Sequence, residues 1–127
     1  MDYPDDRKYT DHDEWILLQG DVLTLGLTDH AQDALGELVY IEMPEVGAVL
    51  AAGDAVCEVE SVKAVAEVYS PVEAEVLEVN EELDGNEELV NSDPHGEGWL
   101  VKLKVLDAGP LVDLLDAAAY AAKVAEA

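Results

Sequence analysis

Two short runs of alternating residues flank a single lysine, and this pattern constrains the fold more than any other feature of the chain. Residues 56–60 and 65–69 each mix β-branched and charged side chains in near alternation. Such alternation is typical of strands with one buried face, and the short gap between the runs predicts a β-hairpin. Lys63 lies in that gap. The sequence therefore predicts that Lys63 occupies the tip of a hairpin.

Lys63 has many carboxylates near it in sequence, and these bear on its chemistry. Glu58, Glu60 and Glu67 attract positive charge, whereas a nucleophilic lysine needs desolvation or a nearby cation. The sequence thus does not favour Lys63 as a catalytic nucleophile. An accessible amine at a hairpin tip can instead be acylated by another enzyme, which removes its charge and attaches a prosthetic group. The alternative from the residues alone is an ordinary solubilising lysine on a turn.

The remaining periodicity predicts a small, β-rich domain with helices at its periphery. Alternate leucines in residues 23–27 share one strand face. In a later strand, Val39, Ile41 and Met43 are predicted to share a face. Past the lysine, residues 99–105 alternate again and predict a last strand with an apolar face.

Helical segments are predicted between and after these strands. Thr28 is a suitable N-cap, and Gly36 can end the same helix in a left-handed conformation. Residues 80–98 are polar and predict a long surface connection with about one helical turn. A C-terminal helical segment is expected over about residues 110–126, with three leucines on one face and Asp116 capping a second helix.

Length and composition indicate one domain over residues 1–127, with its core at about residues 9–106. No apolar run approaches the roughly 18 residues needed to span a bilayer. The first residues lack a basic start followed by an apolar stretch, so we expect a cytoplasmic protein without a secretory signal. The sequence contains one cysteine, Cys57, which is predicted to be a small core residue.

The formal net charge of −24 restricts the partners of the chain. Nucleic acid and anionic membrane surfaces would be repelled, so neither is expected to bind. Protein partners should present basic patches. Because salt screens such self-repulsion, the composition suits either a high-salt cytoplasm or a deliberately acidified sequence, and the residues alone leave both open.

Other chemistries find little support in the motifs. The three histidines are scattered, no His-Glu-x-x-His motif is present, and residues 84–88 lack the spacing of a calcium loop, so no metal site is predicted. The sequence has no Gly-x-Ser-x-Gly motif and no glycine-rich phosphate loop. Trp15 and Trp99 are predicted to be core anchors.

Eight segments in a fixed order carry a family resemblance that extends well beyond the lysine. The pentapeptide around Lys63 would be weak by itself, but together with the upstream segment at residues 28–32 it is specific. The segments are 13–15 (Asp-Glu-Trp), 26–32 (Gly-Leu-Thr-Asp-His-Ala-Gln), 35–37 (Leu-Gly-Glu), 44–47 (Pro-Glu-Val-Gly), 60–64 (Glu-Ser-Val-Lys-Ala), 70–72 (Ser-Pro-Val), 88–92 (Glu-Leu-Val-Asn-Ser) and 98–99 (Gly-Trp). From about Tyr9 to Tyr120 the chain resembles the H-protein family of the glycine cleavage system.

The resemblance implies a fold and a modification site. The fold is the barrel-sandwich hybrid of lipoyl and biotinyl carriers, mainly β, with two small sheets, short peripheral helices and a C-terminal helix. The matching lysine of the family carries lipoate through an amide bond, which implies lipoate on Lys63. The flanking residues Glu60, Ser61, Val62 and Ala64 then form the motif that the lipoate-attaching enzyme recognises.

The resemblance also implies a non-catalytic role and a set of partners. A pyridoxal-phosphate glycine decarboxylase would load an aminomethyl group and release carbon dioxide. An aminomethyltransferase would pass the one-carbon unit to tetrahydrofolate, and dihydrolipoyl dehydrogenase would reoxidise the arm with FAD and NAD. A lipoate ligase or lipoyltransferase would attach the lipoate. The carrier itself is expected to be a monomer that catalyses nothing.

A cleft for the loaded arm is a further expectation of the resemblance. The aminomethyl cargo carries an amine, which would be shielded from water if the arm folded back onto the carrier. Glu14, in the segment that matches the family's His-Glu-Trp region, and Glu67, in the strand after Lys63, are candidates for binding this cation. His30 is a third candidate residue of the cleft.

Two positions depart from the family pattern. Asp13 stands where the family commonly has His, and Ala74 where it usually has Gly. A glycine at such a site often supplies a positive φ that alanine resists, which would disturb the shape that the lipoate-attaching enzyme reads.

Three alternatives remain beside the carrier role in glycine cleavage. A lipoate-relay carrier for other enzymes and an inactive redesigned scaffold would share the fold. A biotin carrier domain is disfavoured, because its lysine usually lies between methionines and here Val62 and Ala64 occupy those places.

Overall fold

A computed structural model describes residues 3–126, so residues 1, 2 and 127 of the predicted domain lie outside the described range. Two 3₁₀ turns, at Glu81–Leu83 and Gly109–Asp113, accompany the regular elements. In chain order these elements are β1 (Lys8–Tyr9), β2 (Glu14–Gln19), β3 (Val22–Leu27), α1 (Asp29–Leu35), β4 (Leu38–Glu42), β5 (Val49–Leu50), β6 (Ala55–Ser61), β7 (Val65–Tyr69), β8 (Glu73–Val79), α2 (Leu89–Ser92), β9 (Val101–Asp107) and α3 (Ala117–Glu126).

Two antiparallel sheets form the body of the protein. The larger has six strands in the order β1-β2-β3-β9-β8-β5, and the smaller has three in the order β4-β6-β7. The expected mainly β fold of two small sheets with short helices and a C-terminal helix is thus confirmed. No helix within residues 3–126 is long and apolar enough to cross a membrane.

The main core is formed by alternate side chains of both sheets. Leu23 and Leu25 of β3 and Val59 of β6 are fully buried. Glu58 and Glu60, on either side of Val59, point to solvent. Each fully buried aliphatic side chain contributes about 1.5–3 kcal/mol through the removal of apolar surface from water. The alternation seen in the sequence therefore fixes which face of the hairpin strands packs inward.

Helix α1 begins and ends at the predicted residues. The Thr28 hydroxyl accepts a hydrogen bond from the backbone N–H of Ala31, which satisfies one free donor of the first turn. Gly36 caps the other end with φ 83° and ψ −160°. The φ is positive as predicted, but the ψ differs from the left-handed helical value, so the chain leaves the helix in an extended direction.

The predicted shared face of Val39, Ile41 and Met43 is wrong. The pairing of β4 with β6 shifts register between Leu38 and Tyr40, which is the mark of a β-bulge. The extra residue moves Val39 to the surface, where it is 48% exposed, and buries Leu38 instead. Periodicity alone could not show this, because an inserted residue breaks the period of two.

The connection over residues 80–98 is more than a surface loop. It holds a 3₁₀ turn and α2, and it sends Leu83 and Val90 into the main core. Gly98 lies against the backbone of Val90, where a Cβ would come within 2.9 Å of its Cα. This segment is therefore a fixed part of the fold.

The C-terminal helical segment is interrupted, unlike the single leucine face that was predicted. After the 3₁₀ turn the chain extends, and Leu115 exchanges two backbone hydrogen bonds of 2.8 Å with Tyr9. Asp116 then caps α3 as expected, its Oδ1 accepting a bond from the N–H of Ala119 at 2.7 Å. Because the bridge to β1 needs extended backbone, the leucines cannot share one helical face.

An aromatic cluster of Tyr9, Trp15 and Tyr120 holds α3 against the larger sheet. The rings of Tyr9 and Tyr120 stack at 4.9 Å between centroids and 14° between planes. Trp15 lies over Gly26 of the neighbouring strand, where any Cβ would overlap the indole ring. The prediction that Trp15 is a core anchor is confirmed, whereas Trp99 is only partly buried at the edge of this cluster.

Candidate functional site

The hairpin of β6 and β7 ends in a tight turn that carries Lys63. Glu60 and Val65 form the last paired positions of the two strands. The backbone N–H of Ser61 then donates to the carbonyl of Ala64 at 2.8 Å, which leaves Val62 and Lys63 as the two central turn residues. The structure thus places Lys63 at the hairpin tip that the alternation predicted.

The Ser61 side chain holds this turn together. Its Oγ accepts hydrogen bonds from the N–H groups of Lys63 and Ala64, at 3.3 and 3.0 Å, and donates to the Ala64 carbonyl at 3.2 Å. Serine is suited to this role because a short hydroxyl side chain reaches the backbone two and three residues ahead. The hydroxyl therefore satisfies turn N–H groups that have no strand partner.

The Lys63 side chain is exposed and unpaired within residues 3–126. The ion pairs in that range join Arg7 to Asp6 and Lys123 to Asp11, so Lys63 has no carboxylate partner although 30 acidic residues are present. Its stem lies beside the end of α1, where a Cβ on Gly36 would be 3.4 Å from its Cε. The amine is therefore accessible to an enzyme that modifies it.

The residues flanking Lys63 differ in exposure. Ser61 is buried, whereas Glu60, Val62 and Ala64 are exposed and Val62 exposes 65% of its surface. The structure brings all four residues of the predicted recognition motif to the tip. An enzyme that binds this tip meets an apolar valine beside the lysine and a carboxylate at the base of the turn.

Glu14, the first candidate residue of the arm cleft, is a buried carboxylate at the start of β2. It is 1% exposed, and it accepts hydrogen bonds from the Thr10 hydroxyl at 2.9 Å and from the Tyr69 backbone N–H at 2.6 Å. Burial raises the pKa of Glu14 to about 7, although both hydrogen bonds act in the opposite direction. Near neutral pH this group can therefore hold or release a proton.

Glu14 lines a cavity of about 280 Å³ together with His12, Tyr69 and Leu114, among others. The rings of His12 and Tyr69, which both line this cavity, lie 4.9 Å apart between centroids. A small cationic group would fit such a space, because Glu14 lines it together with two further acidic residues, Asp11 and Asp113.

Glu67 and His30 lie apart from this cavity. Glu67 points outward opposite Glu58 on the small sheet and lines a second cavity of about 310 Å³, which shares no residue with the first. Its carboxylate acts on the hydroxyl of Tyr69 and raises the pKa of that group. His30 lies half-buried on α1. The structure therefore does not bring the three candidates into one cleft, and Tyr69 is the residue between Glu14 and Glu67.

The two departures from the family pattern are accommodated in different ways. Ala74 is fully buried in β8 opposite Leu50, and among residues 3–126 Asp13 is the one non-glycine residue with a positive φ. The expected strain at Ala74 is therefore absent. Asp13 adopts φ 65°, a conformation that Asp tolerates better than most residues.

Several residues of the site were not given roles by the sequence. Asn91 of α2 bonds to the loop between α1 and β4, and Thr10 bonds to Glu14. Asn91 falls in a segment of the family resemblance, and this was the one feature of the sequence that pointed to a role for it. Cys57 is buried and its pKa is raised to about 12 by desolvation, so it is an unreactive core residue as predicted.

No group of three or more histidine, cysteine, aspartate or glutamate side chains that could hold a metal ion occurs within the described part of the chain.

Comparison with known proteins gives a consistent result. The family model described as glycine cleavage H-protein matches residues 7–127. The chain is 54% identical over 120 residues to the glycine cleavage system H protein of Thermus thermophilus, covering 94% of each chain. It is 48% identical over 124 residues to that of Bacteroides thetaiotaomicron, covering 98% of each. A crystal structure of a glycine cleavage system H protein from Mycobacterium marinum matches with a TM-score of 0.88 at 36% identity, over 97% of this chain and 99% of the other.

Proposed function

The chain belongs to the glycine cleavage H-protein family, the lipoyl carriers of the glycine cleavage system, and from this membership we propose that Lys63 is the residue that carries lipoate. The observation that supports the assignment is the unpaired, exposed amine at the end of a turn fixed by Ser61. An amide between Nζ and the lipoate carboxyl would remove the positive charge of the lysine. The attached group supplies a reversible disulfide at the end of a long arm.

The residues around Lys63 fit such a group. The turn backbone is held by the Ser61 hydroxyl, whereas the Lys63 side chain has no hydrogen bond or ion pair within residues 3–126. A fixed backbone gives the attaching enzyme a constant shape to recognise. A free side chain gives the arm the range of motion that a shuttle between enzymes needs.

Glu14 is the best supported of the three cleft candidates for binding the cationic amine of the cargo. It combines burial, a cavity and a carboxylate that is partly ionised near neutral pH. A carboxylate in a site of low polarity attracts a cation more strongly than one in water. Glu67 and His30 remain weaker candidates, since neither lines this cavity. Glu14→Gln is expected to shorten the lifetime of the loaded carrier, and Glu67→Gln to change it less.

The partner enzymes proposed for the carrier are those of the glycine cleavage system. They are glycine decarboxylase with pyridoxal phosphate, aminomethyltransferase with tetrahydrofolate, and dihydrolipoyl dehydrogenase with FAD and NAD. A lipoate ligase or lipoyltransferase would modify Lys63. We propose that the chain itself is non-catalytic, monomeric and cytoplasmic. Its net charge of −24 favours partner surfaces that carry basic residues.

Intact mass with peptide mapping tests the assignment of Lys63. The purified protein is incubated with lipoate ligase, ATP and lipoate. One lipoyl increment on the peptide that contains Lys63 is the expected result. Lys63→Arg should remain unmodified, and Lys104→Arg, which changes another exposed lysine, should be modified like the parent protein. An increment on any other lysine, or none on a folded protein, would overturn the proposal.

Reconstitution separates glycine cleavage from lipoate relay to other enzymes. Lipoylated carrier mixed with glycine decarboxylase should exchange labelled carbon dioxide into glycine, because productive docking at that enzyme is needed only for glycine cleavage. Lipoylation at Lys63 without any exchange would favour the relay role.

A further inference from the structure

The Lys63 turn is attached to the loop between α1 and β4. The backbone N–H of Val62 donates to the carbonyl of Glu37 at 3.0 Å, and the stem of Lys63 lies against Gly36. Both central residues of the turn therefore contact residues 36–37. A shift of this loop would therefore act directly on the hairpin tip.

Asn91 also holds that loop through its side chain. Its Oδ1 accepts the backbone N–H of Leu38 at 3.0 Å, and its Nδ2 donates to the carbonyl of Gly36 at 2.8 Å and to Oε1 of Gln32 at 3.0 Å. Within residues 3–126, no other side chain hydrogen-bonds to the backbone of Gly36, Glu37 or Leu38. Asn91 thus supplies the side-chain hydrogen bonds to this loop, beside the backbone bonds that join Gly36 to Gln32 and Glu37 to Val62.

The orientation of this amide is determined by its neighbours. The Leu38 N–H requires an acceptor, so Oδ1 must face it, and Nδ2 must then face the Gly36 carbonyl. The Gln32 amide agrees, because its Nε2 donates to Asp29 at 2.7 Å and leaves its oxygen for Asn91. Every polar atom of the Asn91 side chain is therefore used in fixing the loop.

The helix that carries Asn91 is itself well anchored. Val90 is fully buried in the main core, and the backbone around it packs against Gly98. Asn91 consequently links the core to the loop, and the carbonyl of Glu37 links the loop to Val62.

We propose that Asn91 is a positioning residue that keeps the Lys63 turn in the shape recognised by the lipoate-attaching enzyme. This inference rests on the proposed function of Lys63. When the loop loosens, a smaller fraction of the carrier holds the tip in the recognised position. The apparent affinity for the enzyme is proportional to this fraction, so it falls as the fraction falls. Turnover at saturating carrier is unchanged.

The test compares Asn91 variants with a matched control. Asn91→Asp keeps the acceptor for Leu38 but removes both donated hydrogen bonds, and Asn91→Ala removes all three. Asn80 is also an amide that fixes a loop with three hydrogen bonds, to the backbones of Glu82, Glu97 and Trp99. Asn80→Ala therefore reports the effect of losing three hydrogen bonds from an amide side chain that lies away from the tip.

Two measurements are made on each variant at conditions where all remain folded. Hydrogen exchange of the Val62 amide reports the hydrogen bond to Glu37 directly and does not require lipoylation. Initial rates with lipoate ligase give KM and kcat for the carrier. For both Asn91 variants we expect about tenfold faster exchange at Val62 and about tenfold higher KM with unchanged kcat, because a loosened loop weakens the one hydrogen bond from Val62 to Glu37, and a single hydrogen bond contributes about that much. Asn80→Ala should change neither quantity more than about twofold.

Equal effects of Asn91→Ala and Asn80→Ala on Val62 exchange and on KM would overturn the inference, as would a fall in kcat without a change in KM. Failure of the parent protein to accept lipoate at Lys63 would instead reject the proposed function. In that case the exchange data alone decide whether Asn91 fixes the turn, so the two failures are distinguishable.

Discussion

The hydroxyl of Tyr120 donates a hydrogen bond of 2.8 Å to Oδ1 of Asp13, although 107 positions separate the two residues. The same hydroxyl lies 2.7 Å from Oγ1 of Thr28, the N-cap of α1. One tyrosine of the C-terminal helix thus connects the start of β2 with the start of α1. Asp13 makes this contact from a backbone with a positive φ of 65°.

Tyr120→Phe should destabilise the fold by about 1–2 kcal/mol, since it leaves Asp13 and Thr28 without the hydroxyl and keeps the aromatic stacking. Burial raises the pKa of Tyr120, so the hydroxyl remains protonated across the neutral range. Urea unfolding measures the change. Tyr40→Phe, at a tyrosine that is 54% exposed, is the control and should stay within about 0.5 kcal/mol of the parent. Equal stabilities of the two variants would contradict the assigned role.

Glu14 should make stability fall as pH rises towards neutrality. Its pKa is raised from 4.5 to about 7 in the folded protein, so the folded state holds the proton more tightly than the unfolded state. The contribution is fully present below about pH 4.5 and is lost as pH rises to about 7, a change of roughly 3 kcal/mol. Glu14→Gln should therefore gain stability relative to the parent between pH 4.5 and 8, measured by urea unfolding.

The control for this pH dependence is Glu67→Gln, which removes an exposed carboxylate from the small sheet. Its stability should run parallel to that of the parent over the same pH range. If the unfolding free energy of Glu14→Gln also runs parallel to that of the parent, the buried carboxylate does not titrate between about pH 4.5 and 8.

Ser61→Ala should loosen the lysine turn without unfolding the domain. It removes an acceptor for the N–H groups of Lys63 and Ala64, and those groups then bond to water. We expect a loss of about 1 kcal/mol in global stability and faster exchange of the Ala64 amide. Ser92→Ala, at an exposed serine of α2, provides the comparison. Unchanged exchange at Ala64 would show that the hydroxyl does not hold the turn.

Added salt should stabilise the protein, because a net charge of −24 is opposed by just two ion pairs within residues 3–126. Raising sodium chloride from roughly 0.05 to 1 M shortens the screening length to about 3 Å and weakens the self-repulsion, so Tm should rise by several degrees. Screening depends on ionic strength, so sodium chloride and sodium thiocyanate should act alike up to roughly 0.2 M. A flat or falling Tm in chloride would contradict this expectation.

Sequence reasoning located the elements whose signals are local. The alternation around Lys63, the Thr28 cap and the Asp116 cap each depend on residues within a few positions of one another, and all three are found in the structure. It failed at Val39, where a bulge interrupts the alternation, and at Leu115, where a bridge to Tyr9 replaces helix. In both cases a distant strand imposed a backbone shape that the local pattern does not encode.

The sequence by itself determined the hairpin and the lysine at its tip, because strand alternation and turn chemistry act between near neighbours. Tertiary structure alone decided the burial of Glu14, which needs Tyr69, and the bonding of Asn91 to Gly36, each of them 55 positions away. A buried carboxylate acquires its raised pKa, and an amide its bonding partners, only when folding removes water and brings such distant groups together. The place of the modifiable lysine was therefore readable from the chain, whereas the surroundings that hold it were set by the fold.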